Sequence, residues 1–347
     1  MKHFSALLAL LLLSLTACAP QLQPPSIDHA EPALTADHIV MDDGARLPLR
    51  QWQPTGEPKA IILALHGFND YSNAFDEPAR QWAAQGIATF AYDQRGFGDT
   101  AYRGVWAGED RMEDDLRTAA MLLRARYPQV PLYLLGESMG GAVIMAAAGS
   151  DRPPPADGLV LAAPAVWGRE TQGAVLSGAL WIAAHTMPWM TVTGSGLHIW
   201  PSDNVPMLRK LAKDPLVIKE TRVDALWGLT NLMDRAFAAA PRLDHNTLVL
   251  YGCREQVLPD GAVLETLRRL SPDPSRRPQV ALYAKGYHML LRDLDSAIVV
   301  NDVVAWIDNP GGSLPSRGDV LAQRLLDGSA DSLKAAGRTA GQMSSAR

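Results

Sequence analysis

Cysteine is nearly absent: the 347 residues hold two, Cys18 and Cys253. Two thiols cannot build a disulfide framework or a four-cysteine zinc site. Charge of one sign is also lacking, with 32 basic against 37 acidic residues and a formal net charge of −5. That balance gives no basic surface for nucleic acid. Membrane-spanning runs are missing too. The N-terminal apolar stretch, Ala6 to Leu15, is ten residues interrupted only by Ser14, and a spanning helix needs about 20. No internal repeat is visible. What the chain does have is 47% apolar residues, which excludes a wholly disordered polymer.

The two ends read as non-globular. Met1-Lys2-His3 is a short basic start, and an apolar run behind it reads as a secretory signal. Leu15-Thr16-Ala17-Cys18 resembles the lipobox of bacterial lipoproteins. The resemblance implies removal of residues 1–17 and lipidation of Cys18, which ties the mature protein to a membrane without embedding it. An ordinary cleavable signal is the alternative. Ala19, rather than Asp, follows the cysteine; in a Gram-negative cell this resembles sorting to the outer membrane, facing the periplasm. Residues 18–36 carry Pro20, Pro24, Pro25 and Pro32 and read as a stiffened tether. Residues 311–347 are rich in Gly, Ser and Ala and read as a mostly disordered tail, with at most one short helix near Val320-Leu321 and Leu325-Leu326. The folded unit is then 37–310.

Inside that unit, short continuous apolar runs alternate with helical segments. Strands are expected at Ala60–Leu65, Ile87–Tyr92, Leu132–Leu135, Leu159–Ala163, Thr247–Tyr251 and Val280–Tyr283. Helices are expected at 73–85, 112–126, 139–149, 261–270 and 296–307. Such alternation means a parallel sheet covered on both faces. His38–Met41 and Arg46–Gln53 flank the turn Asp43-Gly44 and add an antiparallel start. From Val166 to about Leu243 the rhythm breaks. This insertion contains several tryptophans and no clear strand.

Gly136-Glu137-Ser138-Met139-Gly140 lies between a strand and a helix. This is the context in which G-x-S-x-G presents a serine Oγ on a sharp, strained turn. A serine hydroxyl needs a base to become a nucleophile, and such a serine takes its partners in the chain order acid, then histidine. Of eight histidines, His288 in Gly286-Tyr287-His288 follows the last strand and is the candidate base. Glu255, after the strand Thr247–Tyr251, is the candidate acid. Asp260 and Asp244 are its competitors, Asp260 being the better helix cap. The backbone N–H groups of Phe68 and Met139 are the candidate oxyanion donors. His66 reads as a brace for its loop. Asp110, Glu113, Asp114 and Asp115 gather where acids favour a first helical turn and do not call for a metal.

HGFNDYSNAF at 66–75, YDQRGFGDT at 92–100, GESMGG at 136–141, HIWPSDN at 198–204, YGCREQVLP at 251–259 and KGYHMLLRD at 285–293 resemble the α/β-hydrolase superfamily. Within it they resemble the monoglyceride-lipase and lysophospholipase group, whose domain also bears the label serine aminopeptidase S33. The resemblance implies an α/β-hydrolase fold. Its sheet is mostly parallel and eight-stranded, flanked by helices, with a helical cap at about 166–243 inserted after the sixth strand. It implies ester hydrolysis through an acyl-enzyme by Ser138, Glu255 and His288, on a lipid-like substrate such as a monoacylglycerol or lysophospholipid, with neither metal nor organic cofactor. An aminopeptidase or amidase, or a non-catalytic lipid- or partner-binding lipoprotein, is the alternative; an amine pocket would draw on Glu170, Asp203 and Asp214. Two positions depart from the family: Glu255 where Asp is usual, and Asn69 where a second glycine is frequent. The cap tryptophans are read two ways. Either Trp167, Trp181 and Trp200 line a lipid-binding cap, or they form its own small core.

Overall fold

Runs such as Ala60–Leu65 (β4), Ile87–Tyr92 (β5) and Leu132–Glu137 (β6) are buried along their whole length. Side chains alternate across the sheet. Ile61, Leu63 and Leu65 join one core, and Ala60, Ile62 and Ala64 join another behind it. The computed structural model describes residues 19–26, 28–194, 196 and 198–344, with side chains through Arg338.

The remaining sheet strands are β1 (Ala33–Leu34), β2 (His38–Val40), β3 (Arg46–Trp52), β7 (Gly158–Ala162), β10 (Thr247–Gly252) and β11 (Gln279–Tyr283). Their order is β1-β2-β3-β5-β4-β6-β7-β10-β11, antiparallel from β1 to β5 and parallel from there to β11. Glycine and alanine at the strand ends keep the register tight. Leu65 pairs with Gly136, and Glu137 with Ala162. The loops after β4, β6, β10 and β11 therefore emerge at one end of the sheet, the carboxyl edge where open α/β sheets place their sites.

Helices cover both faces. Asp76–Ala84 (α1) and Ser296–Asp308 (α9) bury Trp82, Val300 and Trp306 on one side. Glu109–Arg126 (α2) and Met139–Ala148 (α3) lie on the other. Within the insertion stand α4 (Arg169–Gln172), α5 (Ala174–Thr186), α6 (Val205–Lys213) and α7 (Val223–Ala239).

Four expectations need correction. The main sheet has nine strands rather than eight, because Ala33–Leu34 pairs with β2. That strand comes from the segment read as a tether. Gln23 N–H donates to Trp106 O at 2.9 Å and Gln21 N–H to Asp224 Oδ2 at 3.3 Å, so much of 19–36 is docked. Proline holds the backbone extended, and an extended chain can pair at an edge. The cap is not wholly helical: β8 (Thr191–Val192) and β9 (Thr221–Arg222) form an antiparallel ribbon. Its last helix, α7, belongs to the core. Leu232, Met233, Ala236 and Phe237 are buried there, and a Cβ on Gly149 of the sheet-covering layer would stand 2.6 Å from Ala239 Cβ.

The tail also folds. Gly318–Leu326 (α10) and Leu333–Ser344 (α11) pack beside β11, the edge strand. Leu314, Ala322, Leu333 and Ala336 are buried. A sheet edge left open invites pairing with other chains, and here small residues let helices close it. A Cβ on Gly337 would lie 2.7 Å from Cys253 Cβ. Leu333→Ala is expected to cost about 2–5 kcal/mol, read as a lowered denaturant midpoint; an unchanged midpoint would mean an undocked tail.

Candidate active site

The turn after β6 is built by what glycine omits. Cβ atoms on Gly136 and Gly140 would meet backbone at 2.4 and 2.1 Å. Ser138 between them has φ 53° and ψ −114°, a conformation that costs energy and persists only where packing enforces it. Ser138 N–H donates to Ala162 O at 2.9 Å, and Ser138 O accepts from Ala165 N–H at 3.0 Å.

The loops carrying Glu255 and His288 are zipped together by backbone. Cys253 N–H donates to Tyr283 O and Arg254 N–H to Gly286 O, both at 2.9 Å. Gly252 permits this approach, since a Cβ there would stand 2.2 Å from Gly286 O. The consequence is a buried pair, His288 Nδ1 to Glu255 Oε2 at 2.8 Å. Glu255 Oε1 is held by Val257 N–H at 2.7 Å and Leu258 N–H at 3.1 Å. Burial works against both charges. The His288 charge and hydrogen bond, with the two amides, nevertheless hold the Glu255 carboxyl below its ordinary pKa. Burial alone would depress His288, but the Glu255 charge and hydrogen bond, with Glu137 adding, raise its imidazole above the ordinary value. Ser138 Oγ and His288 Nε2 have no hydrogen-bond partner among the described residues.

Phe68 follows β4 and packs edge-on to Phe97, ring centroids 5.5 Å apart. Its amide and that of Met139 have no acceptor among the described residues. Asn69 stands at φ 65°, a left-handed conformation that asparagine tolerates. Its side chain donates to Thr221 Oγ1 at 2.6 Å, tying this loop to the cap. His66 accepts from Gln94 N–H at Nε2 (2.9 Å) and faces Gly67 O through Nδ1 (2.8 Å). Burial lowers its pKa, so it braces the loop as a neutral imidazole.

Sequence reasoning missed a charged hub. Arg292, buried, reaches Asp70 Oδ2 at 2.7 Å and Glu137 Oε1 at 3.0 Å. It joins the loops after β4 and β11 to the last residue of β6. Beside it Asp293 accepts from Tyr287 N–H at 2.7 Å and from Ser202 Oγ at 2.6 Å, linking the histidine loop to the cap. The signal was present, since each of these charges lies inside one of the motifs quoted above. Charged side chains are by default solvent-exposed, and nothing local marks these as buried.

The other candidates are placed as follows. Asp260 opens Asp260–Arg269 (α8) and Asp244 caps Asn246 N–H at 3.0 Å; neither contacts His288. Cys253 is buried, its thiol pushed up to about 12 by desolvation and Asp260. The acids at 110 and 113–115 pair with Arg235, Arg117, Arg152 and Arg95. Trp167 packs on the central core, whereas Trp181 and Trp200 are half exposed. Trp181 stacks on His185, which packs edge-on to Trp227, and α5 buries only Ala184. Cys18 lies outside the described residues.

The family model described as serine aminopeptidase, S33, matches residues 56–295. The monoglyceride lipase of Rattus norvegicus is 27% identical over 300 residues, covering 84% of this chain and 95% of that protein. The monoacylglycerol lipase of Mycolicibacterium smegmatis is 24% identical over 269 residues, 76% of this chain and 93% of that one. Among solved structures, a soluble variant of the monoglyceride lipase from Saccharomyces cerevisiae, in complex with a substrate analog, superposes with a TM-score of 0.63 at 20% identity. It covers 81% of this chain and 98% of that one.

Proposed function

The chain belongs to the serine aminopeptidase S33 family, and from that premise we propose a carboxylic ester hydrolase of lipid substrates, monoacylglycerols and lysophospholipids, working through Ser138, His288 and Glu255. The observation that carries the reading is the buried Glu255–His288 pair, at 2.8 Å, with the His288 loop tied through Arg292 to Glu137, the residue before the strained serine. Ser138 Oγ attacks the ester carbonyl while His288 Nε2 takes its proton. Glu255 fixes the tautomer with the proton on Nδ1 and stabilises the imidazolium that forms. The Phe68 and Met139 amides, with no other acceptor among the described residues, receive the oxyanion. His288 then returns the proton to the leaving alcohol. Water attacks the acyl-enzyme by the same route and releases the fatty acid.

The curated relatives act on glycerides by name, and the apolar cap suits the same substrate class. An amine pocket has less support. Glu170 pairs with Arg269, Asp203 accepts from Leu294 N–H, and Asp214 accepts from Tyr71 Oη, so the three acids are committed separately. Lipidation of Cys18 with outer-membrane placement completes the proposal, on the strength of the lipobox alone. The test is turnover of a long-chain monoacylglycerol, a lysophospholipid and an aminoacyl anilide by the purified enzyme. Ester cleavage at least a hundredfold faster than anilide cleavage is expected; the reverse order would overturn the proposal.

A further inference from the structure

A cavity of about 540 Å³ opens beside the edge strand β11, between α9 and α10. Ser138, Glu255 and His288 are not among its lining residues. A cavity of this size suits a small ligand. Leu282, Leu290 and Val299 line it and are buried, while Ile298 and Val320 line it and are each 45% exposed. The lining is therefore apolar from its depth to its mouth.

The walls are pinned. Asp302, fully buried on α9, accepts from Tyr283 Oη at 2.9 Å and from Ser316 N–H at 3.0 Å. This fixes the start of the tail against β11. Gly318 allows the approach, since a Cβ there would stand 3.0 Å from Leu282 O. The wall formed by 316–324 lies beyond residues 56–295, which the family model matches, so the cavity needs this chain's own tail. Three acids and three cations also line it: Asp203, Asp293 and Asp295 against Lys285, Arg317 and Arg324. The acids are already engaged. Asp203 accepts from Leu294 N–H, Asp293 accepts from Tyr287 N–H and Ser202 Oγ, and Asp295 pairs with Lys285 at 3.5 Å. The Arg317 guanidinium is exposed and makes no hydrogen bond or ion pair among the described residues.

We infer that this cavity is a second ligand site, separate from the catalytic centre, and that it takes a fatty-acid anion. The alkyl chain lies on Leu282, Leu290 and Val299, between Ile298 and Val320, and the carboxylate meets Arg317. The inference goes beyond the ester hydrolysis proposed above and does not depend on it. The chemistry of the lining selects the ligand. An apolar depth rewards burial of a hydrocarbon chain. The charge without a partner is positive, so the head is anionic, and a guanidinium offers a carboxylate two parallel N–H groups. Because Arg317 is exposed, the head stays at the water's edge and neither charge has to be fully desolvated. A cationic amphiphile would meet Arg317 with like charge.

The probe is dodecanoic acid with a diazirine at the end of its chain, photolysed on the purified enzyme below its micellar concentration. Mass spectrometry locates the crosslinks. They are expected in 282–299 and 314–326, displaced by dodecanoate and not by dodecyltrimethylammonium. Arg317→Glu, at an exposed position, should raise the half-saturating probe concentration about fivefold, the scale of one exposed ion pair. Arg317→Lys, which keeps the charge, should stay within about twofold of the parent. Val320→Trp, which fills the mouth, should abolish these crosslinks. All three variants should keep the parent's melting temperature. Crosslinks confined to peptides around Phe68, Ser138 and Met139 would overturn the second site, since the acid would then bind only at the catalytic centre. Equal displacement by the cationic amphiphile, or indifference to Arg317→Glu, would overturn the fatty-acid assignment. A dimer in solution that excludes the probe and that Val320→Trp dissociates would also overturn it, because the groove would then hold a second copy of the chain.

Discussion

Ser138→Ala is expected to lower kcat by about 10⁶-fold, by analogy with loss of a serine nucleophile elsewhere, without unfolding the protein. The substitution removes one oxygen that has no hydrogen-bond partner among the described residues. The strained backbone at φ 53° is imposed by neighbours rather than by the side chain. Gly136 and Gly140 allow the turn, and hydrogen bonds from Ser138 N–H to Ala162 O and from Ala165 N–H to Ser138 O hold it. Alanine fits that frame. The melting temperature should therefore stay within a few degrees of the parent, while labelling by a fluorophosphonate probe disappears. Activity above a few per cent of the parent, in protein free of contaminating esterase, would remove Ser138 from the mechanism.

What made this residue legible was local. The run Leu132–Leu135 needs no tertiary knowledge to read as a buried strand, and the small residues at 136 and 140 have no other use than a sharp turn. Glu255 and His288 were legible at one remove, by counting strands and asking which loop follows each. The tail was not. Leu333 and Ala336 are buried beside β11, and α11 has only Leu333 and Met343 as large apolar residues, too few to announce a buried face. Strand β1 has two residues and no pattern to detect. The Asp70–Arg292–Glu137 hub was hidden for a related reason. Its burial follows from two loops and a strand end meeting at one edge of the sheet, and no one of the three shows it. The same holds for the N-terminal segment, where proline content signalled an extended chain correctly but said nothing of where that chain lies.

Glu255→Gln is expected to lower kcat by about 10⁴-fold, by analogy with amidation of a triad acid, and the geometry says why. One carboxylate oxygen is engaged by the amides of Val257 and Leu258, and the other faces His288 Nδ1. A glutamine would keep its carbonyl oxygen on the two amides, which only an acceptor can satisfy. Its NH₂ would then face Nδ1 and force the ring proton onto Nε2, where the serine proton has to go. The charge that lifts the imidazole pKa would vanish as well. His288 must be neutral to act as base, so activity falls as pH drops through its pKa. In the parent enzyme that acid limb of kcat/KM is expected above about 6.5, the ordinary histidine value, because the Glu255 charge outweighs burial. In Glu255→Gln the residual activity should show the limb displaced to lower pH. Glu255→Asp, shorter by one methylene, keeps the charge but cannot span the same two contacts, and should fall between parent and amide. Asp260→Asn should be near normal, since Asp260 opens α8 and makes no contact with His288. If Asp260→Asn is dead while Glu255→Gln is active, the acid of the triad is Asp260, and the 2.8 Å pair is a structural contact only.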